Sequence, residues 1–107
     1  MSASAKRKMS RLKEIENIVA REAKKRFCKA GFVRSYVNEN DFRDVLHISI
    51  FVENTDLLET KENVDFIGYL QENLENELNE ERFPLISYFP KNEEKWFISR
   101  REKGFFR

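Results

Sequence analysis

The side chains in this 107-residue sequence that could do chemistry are few: one histidine, His47, one cysteine, Cys28, and scattered carboxylates. His47 stands in the run Val45–Leu46–His47–Ile48–Ser49–Ile50–Phe51–Val52. With no second histidine and no cysteine pair, a tetrahedral zinc site cannot be assembled. A structural or solvent-facing role is the reading for His47, with a lone acid/base or pH-sensitive contact as the sharper alternative. Cys28 is surrounded in sequence by Lys24, Lys25, Arg26 and Lys29, and neighbouring positive charge favours a thiolate. A catalytic cysteine also needs a base, and His47 is the only imidazole on offer; the simpler reading is a small residue on a helix.

The acids Glu39, Asp41, Asp44, Glu53 and Asp56 flank that same run at both ends. A magnesium site of the nuclease kind would use such carboxylates, but turns are rich in Asp and Glu, and nothing fixes these to octahedral geometry. Gly31, Gly68 and Gly104 are too far apart to form a phosphate-cradling loop. No cofactor and no metal are expected. No motif ties the chain to a family, and the GXXG loop of KH-type RNA-binding domains is missing.

The strongest functional signal is the distribution of charge. Lys+Arg number 20 and Asp+Glu 19, for a net charge of +1, yet the signs are segregated. Residues 1–34 carry a net +8, residues 35–94 a net −11 and residues 95–107 a net +4. The basic candidates for a phosphate backbone are Lys6, Arg7, Lys8, Arg21, Lys24, Lys25 and Lys29. Asp65, Tyr69, Glu72 and Glu80 form an acidic counterpart, and with Phe105 and Phe106 they are the candidates for contact with a protein partner. A near-neutral pI of about 7.8 argues against a dedicated nucleic-acid domain. Solvated charged faces are the ordinary explanation of both groups.

These residues need elements to hold them. Leu46, Ile48, Ile50 and Val52 alternate with Val45, His47, Ser49 and Phe51, the period of an inner strand with one face in the core. Phe32–Val37 reads as a partner strand, joined through the polar Asn38–Asp41 in an antiparallel hairpin. Leu12, Ile15, Val19, Ala23, Phe27 and Ala30 mark an amphipathic helix over 10–30, with Ser10 as N-cap and Gly31 as the left-handed residue that ends it. Val64, Ile67, Leu70, Leu74 and Leu78 mark a second over 60–80, preceded by Asp56 and Glu59 as a capping-box variant. Phe83–Phe89 reads as a third strand in which Pro84 demands the start or an edge position. Trp96–Ser99 reads as a fourth.

The expected fold is therefore α+β: a two-layer sandwich with a four-stranded antiparallel sheet and two helices on one face, in the order αββαββ. Ser35–Asn40 and Ser87–Asn92 share three identities in six, which reads either as one αββ pattern used twice or, as the simpler reading, as the chance likeness of two amphipathic hairpins of similar size. The expected organisation is a flexible basic arm over 1–8, a single domain over 9–100 and a basic tail over 101–107. Charged residues, at 36%, exceed the average of about 25% and demand a compact core beneath an ionic surface. No run reaches the ~18 apolar residues of a membrane span, and a lone cysteine suits a reducing, cytoplasmic setting. The function expected from these features is that of a small non-catalytic binding domain, with RNA or a ribonucleoprotein as first choice of partner. The alternative is a protein-interaction module or homodimer; a small metal-dependent enzyme using His47 and the turn acids comes third.

Overall fold

The computed structural model describes residues 3–39 and 44–102. Its elements are helix α1 (Ala3–Arg26), strands β1 (Phe32–Glu39) and β2 (Val45–Val52), helix α2 (Thr60–Leu78), strand β3 (Phe83–Pro90) and helix α3 (Glu94–Glu102). The three strands form one sheet in the order β1-β2-β3, so β2 is the inner strand, as its period demands. Leu46, Ile48, Ile50 and Val52 are all buried beneath α1 and α2.

β1 pairs antiparallel with β2, whereas β3 lies parallel to β2 with Val45 opposite Phe83 and Val52 opposite Pro90. This corrects the all-antiparallel expectation. The physical reason is α2, whose 19 residues span about 28 Å and return the chain to the end of the sheet where β2 began. The expected fourth strand is also absent: Trp96–Ser99 lies within α3. Three consecutive apolar residues have no period that separates a strand from a helical turn. The order is thus αββαβα, and among the described residues no second hairpin follows β3 to make an αββ repeat.

Pro84 is accommodated as the edge argument requires. The Phe83 N–H donates to the Asp44 carbonyl at 3.3 Å, so alternate residues from Phe83 onward bond to β2, and Pro84 and Pro90 turn their ring nitrogens to the outer side. At the opposite edge the Val37 N–H donates to Glu16 Oε1 of α1 at 3.2 Å. Both edges therefore offer an incomplete template for an added strand.

α1 starts at Ala3 rather than near Ser10, which places Lys6, Arg7 and Lys8 in its first turns instead of in a preceding arm. It ends at Arg26, and a run of turns leads to Gly31 at φ 76°. A side chain there would be strained by the dihedral and would meet Glu53 Cγ at 2.7 Å. Asn54 caps a single 3-10 turn over Thr55–Leu57, and α2 starts at Thr60 without a side-chain cap. In α2 the buried stripe is Phe66, Leu70 and Leu74, while Val64 is 63% exposed.

The second face of the sheet is half covered. Phe97 of α3 sits over it with its ring 5.3 Å from Phe51, 5.1 Å from Tyr36 and 6.1 Å from Phe89. Glu94 anchors the start of the helix, accepting from the Tyr36 hydroxyl at 2.9 Å and pairing with Arg34 at 3.2 Å. No described helix is long and apolar enough to cross a membrane.

Candidate nucleic-acid interface

α1 and α2 lie side by side on one face of the sheet, and three contacts fix their direction. Arg26 stacks over the Tyr69 ring at 5.6 Å, Arg21 pairs with Glu77 at 2.5 Å, and Arg11 lies 3.6 Å from Glu80. As numbers fall along α1 they rise along α2, so the helices are antiparallel. The seam between them is where sequence-expected basic and acidic residues meet, within one molecule.

Arg21 is the centre of this seam. Its Nε donates to Glu22 Oε2 at 2.8 Å, and its Nη1 and Nη2 both reach Glu77. These bonds raise its pKa above the usual guanidinium range, Glu77 contributing most, then Glu22. Glu22, only 3% exposed, also lies 3.5 Å from Lys25. Burial opposes its charge, but bonds from Arg21 and Tyr69 and the nearby Lys25 hold it below the ordinary carboxylate range. A planar fork suits this bidentate work better than an ammonium, and all three of these α1 arginines face the α2 side.

The lysines are placed differently. Lys13, Lys24, Lys25 and Lys29 are exposed, and among the described residues Lys13, Lys24 and Lys29 make no ion pair. Lys13 and Lys24 are eleven residues apart in α1, so they stand within about 20° of each other around the axis and about 16 Å apart along it. Counted from the buried Ile15, Val19 and Ala23, that stripe lies on the flank of α1 turned away from α2. Lys6 precedes Lys13 by seven residues in the same helix. The outer side of α2 carries the opposite sign, with Asp65, Glu72 and Glu75 exposed against Lys61.

Glu80 does not belong to that acidic face. It follows the end of α2, is 6% exposed, and accepts from Arg82 Nε and Nη2 at 2.9 Å each. Arg82 Nη1 continues to Glu39 Oε1 at 3.0 Å, tying the ends of α2, β3 and β1 together. The bonds from Arg82 lower the Glu80 pKa against the opposing effect of burial. Sequence reasoning missed this cluster, because Arg82 stands alone among acids and gave no periodic signal. Phe105 and Phe106 lie outside the described residues, as does Asp41.

The remaining candidates are not brought together. His47 faces the second side of the sheet between Asn38 and Leu85, whereas Cys28 is exposed in the turns after α1, on the helical side. The sheet separates them, so no dyad forms. Glu39 and Asp44 lie at one end of β2 and Glu53 and Asp56 beyond the other, about 26 Å away for eight residues. Among the described residues no three metal-ligating side chains cluster. Comparison with protein-family models, curated proteins and solved structures finds no match.

Proposed function

We propose that this α+β domain is a non-catalytic binding module that holds RNA through the lysines of α1. The observation that carries the reading is a division of labour: Arg11, Arg21 and Arg26 of the helix turn toward α2, while Lys13 and Lys24 of the helix, and Lys29 in the turns that follow it, remain exposed without an ion pair among the described residues. Freely hydrated ammonium groups on a rigid helix contact phosphates as point charges and read no bases. Arg21 leaves the contact set, because binding a phosphate would break its bonds to Glu22 and Glu77. The test is a titration of the Lys13→Ala, Lys24→Ala, Lys29→Ala variant with labelled single-stranded RNA. Each lost phosphate contact flattens the salt slope by about 0.7, so three flatten it by about 2. An unchanged slope sinks the reading.

A second reading is favoured by the part of the sheet that α3 leaves uncovered. Phe83 and Leu85, each 44% exposed, flank Val45 and His47 there. With both edges hindered against strand addition, the apolar half-face would serve association face to face between copies of the chain. Sedimentation of Phe83→Ser with Leu85→Ser tests it: if the unaltered protein is already a monomer at high concentration, self-association is excluded.

A further inference from the structure

The two helices present opposite signs to solvent from a single layer, and this restricts which nucleic acid can lie on α1. Packed helices stand 8–10 Å apart. An RNA duplex is A-form and carries two phosphate backbones, one on each side of a deep, narrow major groove and a wide, shallow minor groove. A duplex whose one backbone follows Lys13 and Lys24 and whose body rests on the helical layer therefore sets its second backbone above α2, over Asp65, Glu72 and Glu75. Like charges juxtaposed in this way oppose docking. A single strand is narrow enough to stay on the flank of α1 turned away from α2, where it meets Lys13 and Lys24 alone.

We infer that the acidic face of α2 is a selectivity element that admits single-stranded RNA to α1 and rejects the duplex. The inference rests on the proposed role of the α1 lysines, and gives the acidic half of the molecule a function within it. Arg21 is consistent with this: its guanidinium is committed to Glu77 and Glu22 and is not offered to a second backbone.

The experiment compares a labelled single-stranded RNA with the same sequence annealed to its complement, at low salt, on the full chain. The unaltered protein favours the single strand by at least about tenfold. Replacing Asp65, Glu72 and Glu75 together by Asn, Gln and Gln narrows that ratio several-fold, chiefly by strengthening duplex binding. Glu72→Lys alone moves it the same way and serves as the check if the triple variant folds poorly. All of these positions are exposed. Equal binding of both forms by the unaltered protein overturns the inference while leaving the α1 reading in place, as does a preference that neither variant changes. Failure to bind either form overturns the α1 reading itself.

Discussion

Arg82→Ala tests how the three ends of α2, β3 and β1 are held together. In the folded protein Arg82 makes a two-bond fork to Glu80 and one further bond to Glu39, and its side chain is 26% exposed. Removing it leaves Glu80 as a carboxylate in a site only 6% exposed, with Arg11 at 3.6 Å as its remaining cation. Breaking a fully buried pair costs about 3–5 kcal/mol. The partial exposure of Arg82 and the nearness of Arg11 reduce this, so a loss of about 2–3 kcal/mol is expected. For a chain of this size that corresponds to a fall in Tm of about 8–20 °C.

The pH dependence supplies an independent check. The Glu80 carboxyl is held below its ordinary value by Arg82, so its contribution is present above the unfolded value and is lost as pH falls through the lower folded one. Urea denaturation of both proteins from pH 7 to pH 3 should show a large gap at neutral pH that closes in acid. Arg82→Lys should recover only part of the loss, since an ammonium cannot span Glu80 and Glu39 as the fork does. Equal urea midpoints at pH 7, or a gap that does not narrow as pH falls below the ordinary carboxylate range, would refute the assignment of Arg82 as an electrostatic tie.

Ile48→Ala and Ile50→Ala should each cost about 2–5 kcal/mol by leaving a cavity under α1 and α2, while His47→Ala costs much less; a thermal melt that ranks His47 first contradicts the side-chain alternation. Gly31→Ala should destabilise by about 1–2 kcal/mol, since φ is 76° there and the new Cβ crowds Glu53, and an unchanged melting temperature would show that the turn is free to rearrange. Tyr88→Phe should be neutral or stabilise by up to about 1 kcal/mol, because the buried hydroxyl has no hydrogen-bond partner. Burial pushes that phenol up to about 12, so the unaltered protein should lose stability as pH rises from 10 to 12 and the Phe variant should lose less; identical alkaline unfolding of the two would remove Tyr88 as the cause.

The inner strand was legible because Val45–Val52 has an unbroken period of two, and the left-handed Gly31 and edge-placed Pro84 were legible because each residue type tolerates few alternatives. The parallel pairing of β3 was hidden, since Phe83–Phe89 has the same pattern whichever way it runs; only the length of α2 carries that information. α3 was misread because Phe97 buries against Tyr36, Phe51 and Phe89 as a strand residue would. In α2, Val64 and Phe66 are both apolar, and only packing against Phe27, 4.9 Å from Phe66, selects between them. The basic character of the first helix was legible from composition, but Lys13 and Arg11 were not singled out and Arg21 was expected on the outer basic face, because the division into seam arginines and outer lysines depends on where α2 lies.

That division is most directly tested by the salt dependence of RNA binding in two variants compared with the unaltered protein. Lys13→Ala with Lys24→Ala should weaken binding of unrelated single-stranded sequences alike and flatten the slope of log K against log salt by about 1.4, at about 0.7 per phosphate contact. Arg21→Ala should leave that slope unchanged and instead lower the melting temperature, because its bonds run to Glu22 and Glu77. A flattened slope in the Arg21 variant with no change in the lysine variant would contradict the account.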